Sequence, residues 1–551
     1  MYLKKEQVKR LEEILGVFLH QGFDYLLSET KLRQYVPLTK RWKADLKQHA
    51  HLPLPVRGRL AFEQLGPTFV KLGQLLSIRP DLVPYSFLME FEKMQDKGVE
   101  IPFSVIKKSV EYSLKSSLHQ HFLRFMEKPI ASASLAQVHR AQLKNKEWVA
   151  VKIRKPGIKE QMEIDLGVMG FLANVLQKHF PNPYNYPKIV EEFRQWTEKE
   201  LDFQNEAIHA KIFREHALET KLFYIPKVYD ALCREDLFVA EYLDGIKLHD
   251  IDLLQKKKYR VKQILKTGCK ALVTQVFDKG FFHADPHPGN VLVLKNGMLA
   301  FIDFGIVGQF DEHLKRKVLE FFWGMTSNNT DIALQALYAI NTNGFVKNRE
   351  EFDRKIKQIM YPLRYTSMRE LKITEALKNM FEACAVHGVS VPVDFILFGK
   401  TIVTMEGIAL RYDPDFSLVS VIGETVDALM KKRFSPKELY KRIRSSTIQM
   451  IDFLDEFPRY ARDITDRLRM GKITMDMETG DVRALTNELE HSSGNVSLGL
   501  IIAALVVSAT ILFQYPLYQR IALVGYVAAA FLGIWLVRHT IYLFHQKEVK
   551  K

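Results

Sequence analysis

Apolar positions near the start of the chain recur three and four residues apart. Val8, Leu11, Ile14, Leu15 and Phe18 predict helix within residues 1–50. Residues 59–125 keep this spacing, with breaks at Leu65-Gly66-Pro67 and Arg79-Pro80. From Ile130 to Ile153 the pattern turns strand-like: LAQVHRAQL, a polar Lys-Asn-Lys-Glu turn, then WVAVKI. Helix returns from about Pro187 to Leu218, and IPKVYDAL and DLFVAEYL predict a strand pair around Cys233–Asp236. Val291–Leu294 and Leu299–Ile302 are apolar runs joined by Lys295-Asn-Gly-Met298, whose Asn-Gly predicts a hairpin. After Asp303-Phe304-Gly305 the spacing is helical through about residue 475. Strands embedded among helices make this an α+β pattern, without internal repeats or low-complexity tracts.

The end of the chain has a different pattern. Residues 496–513 (VSLGLIIAALVVSATILF) and 521–537 (IALVGYVAAAFLGIWLV) carry no charge. As helices they would rise roughly 25–27 Å, near the ~30 Å of a bilayer core, and predict a two-helix transmembrane hairpin. Gln514–Arg520, with Pro516 and two tyrosines, suits an interfacial turn. A buried hairpin in a soluble domain is the alternative. Arg467, Arg469, Lys472 and Arg483 precede the pair, and Arg538, Lys547, Lys550 and Lys551 follow it; the turn holds only Arg520. The positive-inside rule then puts both flanks and the body in the cytosol, at the inner (cytoplasmic) membrane.

Composition sharpens this picture in two places. The 551 residues include 79 Lys and Arg against 64 Asp and Glu, a net +15, which suits nucleic acid or an anionic membrane surface. No nucleic-acid motif is present, so the membrane is favoured. Residues 431–444 hold seven bases and one acid, a solvated face or a lipid-headgroup contact. Cys233, Cys269 and Cys384 are too scattered for a disulfide framework or a thiolate zinc site. The mixed-charge N-terminus predicts no cleavable signal peptide.

The chemistry concentrates in His283-Ala-Asp285-Pro-His-Pro-Gly-Asn290 and in Asp303-Phe304-Gly305. The hairpin between them brings Asn290, before its first strand, beside Asp303, after its second. Asp285 lies on the loop leading in. Oxygen ligands of this kind suit Mg²⁺ shared with phosphate, and D-x-x-x-x-N followed by D-F-G is the phosphoryl-transfer spacing of protein kinases. His283, Asp285 and His287 could instead hold a transition metal, which leaves Asn290 and Asp303 unexplained. Lys152 ends the apolar strand Trp148-Val-Ala-Val and calls for phosphate and a carboxylate partner. Glu206 is the candidate, although Glu200, Asp202 and Glu206 could also form an exposed acidic face. Glu241-Tyr242-Leu243 suits a hinge that reads adenine through backbone groups. Where a kinase has a glycine-rich loop, this chain has Ala131-Ser132-Ala133-Ser134-Leu135-Ala136-Gln-Val138, whose alanines restrict φ.

These motifs, in this order, resemble the UbiB/ADCK family of atypical kinase-like proteins. The family's K-x-G-Q matches Lys71-Leu-Gly73-Gln74, its alanine-rich loop Ala131–Ala136, and its E-x-D Glu200-Leu-Asp202. The resemblance covers roughly residues 55–420 and implies a two-lobed kinase-like fold with a helical extension before it. Together with the apolar and charge pattern, it divides the chain into 1–55, a helical extension; 56–125, the K-x-G-Q helices; 126–420, the kinase-like domain; 421–495, a basic connector; and 496–541, the membrane hairpin. It implies an ATP- and Mg²⁺-dependent role in ubiquinone or related prenyl-lipid biosynthesis, with prenyl-quinone intermediates and other quinone-biosynthesis proteins as partners. Lys71 and Gln74 would close the cleft against protein substrates, favouring ATPase activity. Glu200 and Asp202 would meet those residues or the nucleotide. Lys152 and the alanine-rich loop would hold nucleotide, Asn290 and Asp303 the metal, and Asp285 would position water or another acceptor. A true phosphotransferase and a non-catalytic, nucleotide-gated lipid scaffold are the rivals.

Overall fold

The computed structural model describes residues 3–23, 32, 51–77, 79, 82–94, 98–179, 185–327, 329–342, 344–362, 373–433, 501–513 and 519–549. The chain forms two compact units, Met1–Leu439 and Tyr440–Lys551.

In the first unit, α1 (Lys5–His20) buries Leu11, Ile14, Leu15 and Leu19, the predicted stripe. Helix α2 (Leu54–Leu65) stops at Gly66, whose φ of 97° favours glycine. Pro67 then opens α3 (Pro67–Leu76), where the missing N–H of a first-turn proline does no harm. The short α4 (Tyr85–Phe91) follows, then α5 (Phe103–Leu114) and α6 (Leu118–His121). Strands β1 (Phe122–Ser132), β2 (Ala136–Leu143) and β3 (Trp148–Arg154) come next. Between β3 and the helix bearing Glu206 lie α7 (Ile158–His179) and α8 (Tyr186–Leu201), and then α9 (Phe203–Thr220) itself. Helices α1 to α3 and α7 to α8 share a core of their own, in which Leu11, Leu15, Phe62, Phe69 and Val70 meet Leu166, Met169 and Phe193. The insertion after Lys152 thus carries the N-terminal helices.

Strand β4 (Leu237–Glu241) completes an antiparallel sheet in the order β1-β2-β3-β4. Its register opposes Val138, Lys152 and Phe238, and likewise Arg140, Ala150 and Ala240. Directly opposed residues project to one face, so these six share a face. Two expectations change here. The first strand begins at Phe122, inside the stretch read as helix; as an edge strand with register shifts it lacks clean alternation. IPKVYDAL supplies only the Val228–Ala240 bridge and a 3₁₀ turn at Asp230–Leu232.

The second lobe contains β5 (Gly245–Lys247), α10 (Ile251–Lys256) and α11 (Val261–Thr274), with a π-turn at Gln275–Lys279. Then come β6 (Phe281–His283), β7 (Val291–Leu294), β8 (Leu299–Phe301) and β9 (Val307–Gln309), with β7 and β8 paired as the predicted hairpin. Helices α12 (Glu312–Thr326), α13 (Thr330–Ile340), α14 (Arg349–Met360), α15 (Ile373–Val386), α16 (Val393–Tyr412) and α17 (Leu418–Arg433) follow. The three cysteines are buried and unpaired.

The second unit contributes helix 501–513, here α18, and α19 (Gln519–Val549). Gly525 lies against Ala509, and the Thr510 and Tyr526 hydroxyls hydrogen-bond at 2.9 Å. No helix among the described residues is long and apolar enough to cross a membrane. The described residues thus do not support the expected transmembrane hairpin. The described part of its first arm rises only about 20 Å, and the described side chains of the second are apolar over Ile521–Trp535, about 22 Å. The basic stretch beyond Arg433 and most of the connector 421–495 lie outside the described residues.

Candidate nucleotide site

The site forms between the two lobes of the first unit. Lys152 projects from β3 and donates to both Glu206 carboxylate oxygens at 2.8 Å, with Asp303 Oδ1 3.6 Å away. Glu206 is buried in the first turn of α9, not part of an exposed acidic face. Burial opposes charge on Lys152, but Asp303 and Glu206 prevail and raise its pKa well above the ordinary value. Burial also works against ionised Asp303; the Lys152 ammonium and the Gly305 N–H, which donates at 3.0 Å, outweigh it and lower its pKa.

The β7–β8 hairpin does what its turn predicted. Val291 pairs with Phe301, and Ile302 N donates to Asn290 O at 3.1 Å, which sets Asn290 beside the start of the Asp303 loop. Asn290 Nδ2 donates to Asp285 Oδ2 at 3.4 Å, orienting its carbonyl oxygen away from that carboxylate. Asn290 and Asp303 therefore present oxygens that fit a hard cation sharing phosphate ligands.

Sequence reasoning passed over what holds these loops. His283 Nε2 donates to Asp303 O at 2.6 Å, while Asp285 N donates to His283 Nδ1 at 3.1 Å. This fixes one neutral tautomer, and burial pushes the imidazole pKa down. With both nitrogens engaged, His283 is not a metal ligand. No group of three His, Cys, Asp or Glu among the described residues could hold a metal. On α9, His209 Nδ1 donates to Phe304 O at 3.0 Å and Phe213 lies 5.8 Å from the Phe304 ring. The helix bearing Glu206 is thereby tied to the Asp303 loop. The H-x-D spacing was the available signal for His283; His209 and Phe213 had none.

Lys71 on α3 is buried and pairs with Glu200, at the end of α8. Its charge reaches both Lys152 and Asp303, so α3 faces the site. Asp202 instead caps α9, accepting from Gln204 N at 3.0 Å. Gln74 lies on the same helix as Lys71 but makes no side-chain hydrogen bond among the described residues. The anchor behind α3 is Asp165 on α7, fully buried, which accepts from Arg10 Nε at 2.6 Å and Thr68 Oγ1 at 2.5 Å.

The alanine-rich segment is a tight turn. Ala133 N donates to Ala136 O at 2.9 Å, and Lys155 N to Leu135 O at 2.8 Å. Lys155 Nζ bridges Ala133 O at 2.5 Å and Val99 O at 2.8 Å, pinning the turn to residues 98–101. Ala131 and Ser132 end β1, Ser134 and Leu135 are buried, and Val138 shares the Lys152 face. At the hinge, the Glu241 carboxylate accepts from Tyr224 Oη at 2.9 Å and Lys227 N at 3.1 Å, turned to those groups, and Leu243 follows at the crossing.

A lysine–glutamate pair, a His-x-Asp loop with its asparagine, and an Asp-Phe-Gly loop, set between two such lobes, define a kinase-like protein with an atypical, glycine-free loop. Residues 93–337 match the ABC1 atypical kinase-like domain, 356–417 the UbiB helical domain and 481–542 the ABC1/UbiB kinase-like C-terminal domain. The "Probable protein kinase UbiB" of Aliivibrio fischeri is 31% identical over 85% of this chain and 87% of its own. That of Histophilus somni is 28% identical over 97% and 99%. An "Uncharacterized protein in hydrogenase 1 5'region" of Clostridium pasteurianum is 28% identical over 96% and 98%. The chain belongs to the ABC1/UbiB family, the UbiB/ADCK atypical kinase-like proteins.

Proposed function

We propose that the protein is a membrane-associated atypical kinase that hydrolyses Mg-ATP in support of ubiquinone or related prenyl-lipid biosynthesis. The observation that carries this is the Lys152–Glu206 pair within 3.6 Å of Asp303, while Lys71 faces the same site. Lys152, oriented by Glu206, would hold the α- and β-phosphates, and Asn290 and Asp303 would hold Mg²⁺, which would supply neutralisation of the charge developing on the transferred phosphate. Asp285 lies beside Asn290, placed to orient the attacking water. The Lys71 helix narrows access and favours water over a protein hydroxyl as acceptor.

Membrane association rests on the second unit, where Leu523, Val524, Val527, Phe531 and Ile534 are all exposed. Apolar side chains displayed in such number fit a lipid surface. The ubiquinone assignment rests on the family and on the UbiB names of relatives. The decisive experiment follows γ-labelled ATP with purified membranes. Release of free phosphate, reduced at least ~100-fold by Asp303→Asn, is expected. Stable label on a lipid or protein would establish a phosphotransferase, and full turnover by Asp303→Asn would refute the metal assignment.

A further inference from the structure

The sheet face that bears Lys152 continues toward the hinge with an arrangement the phosphate chemistry does not use. Arg140 lies two residues beyond Val138 on β2, opposite Ala150. That is about 7 Å from the Lys152 row, toward the β4 end that leads into Glu241-Tyr242-Leu243. Its guanidinium carbon stands 3.9 Å from the centroid of the Trp148 ring and 4.4 Å from that of Tyr242. Tyr242 is itself fixed, since its N–H donates to Trp148 O at 2.9 Å.

Both rings pack against the guanidinium, so its edge, where the N–H donors lie, is what remains to meet a partner. Among the described residues that edge has no hydrogen-bond partner. Arg140 Nε is buried without a hydrogen-bond partner among the described residues. Asp244 feels the Arg140 charge, but its carboxylate bonds to Lys295 at 2.9 Å. A buried Nε–H without an acceptor is costly unless one arrives.

We infer that Arg140, held against Trp148 and Tyr242, is a recognition residue for the nucleoside end of the bound nucleotide, donating to an acceptor on base or sugar. This rests on the nucleotide reading of the cleft and assigns the half of the ligand that Lys152, Asn290 and Asp303 do not reach.

The test measures dissociation constants of the full-length protein for Mg-ATP, adenosine and inorganic tripolyphosphate. Arg140→Gln should weaken ATP and adenosine alike by about tenfold, the worth of one charge-assisted hydrogen bond, and leave tripolyphosphate unchanged. Arg140→Lys, which keeps the charge and the stem but loses the planar fork, should weaken the same two ligands by a smaller factor. It serves as the test should Arg140→Gln fail to fold. Unchanged ATP and adenosine affinity, or a parallel loss for tripolyphosphate, overturns this inference alone. No ATP binding by the unaltered protein overturns the nucleotide reading and the inference together.

Discussion

Arg10→Met removes the cation from a fully buried carboxylate. Asp165 has no exposed side-chain surface and receives Arg10 Nε at 2.6 Å and Nη2 at 3.4 Å; Arg10 Nη2 also reaches Leu65 O at 2.6 Å. After the substitution only Thr68, among the described residues, would remain on Asp165. Stranding one member of a buried pair costs about 3–5 kcal/mol. Arg10 is 17% exposed, so water can replace part of the loss, and the lower end, about 3 kcal/mol, is expected. Methionine retains the apolar stem, which isolates the polar contribution. The loss should be local to the core shared by α1, α3 and α7. Amide exchange read by mass spectrometry should speed up about 100-fold in those helices, with β3 and α16 unchanged. Arg10→Met combined with Asp165→Leu should recover most of the protection, because no unpaired carboxylate remains buried. Exchange within threefold of the parent in α3 and α7 would refute the clamp.

Burial holds the imidazoles of His139, His209 and His283 below their ordinary pKa. They are neutral in the fold, and the unfolded chain takes up protons below about pH 6.5, so their stabilisation is intact above that value and falls as the pH drops. Urea midpoints at pH 7.5, 6.5 and 5.5 should decline at the acid end, less so for His283→Phe; a flat profile would contradict this. At Gly98 an added Cβ would overlap the Lys155 ammonium and the Ala133 carbonyl, the latter backbone that cannot simply swing away. Gly98→Ala should displace the alanine-rich turn and raise the KM for ATP severalfold in steady-state ATPase assays, and an unchanged KM would show that the turn does not touch nucleotide.

The parts of the site that were legible in the sequence are those fixed by local chemistry. Asn296-Gly297 set the hairpin, and the hairpin alone brings Asn290 to Asp303. Lys152 stood out because a charge ending an apolar strand demands a partner, and Glu206 bonds to it from 54 residues away. What stayed hidden depends on packing between distant segments. Asp165 is a lone acid on a face otherwise made by Met162, Leu166 and Met169, a signal that burial alone makes plain. Arg140 reads as an ordinary polar position of a strand until the register brings Trp148 and Tyr242 against it. The start of that first strand, Phe122–Phe125, was read as helix because the edge of a sheet need not alternate.

The core shared by the N-terminal helices and the insertion has a consequence for how the chain is made. Val70 is synthesised well before Phe193, the residue against whose neighbours it packs. At ribosomal rates of about 5–20 residues per second, Val70 on α3 waits roughly 6–25 s for Phe193 on α8 to appear, and the apolar face of α1 waits longer. During that interval the emerging chain displays Leu11, Leu15, Phe69 and Val70 without their cover. A fragment ending before α7 would present the same surface permanently, so nascent-chain chaperones should engage this protein early and release it only once the insertion has docked.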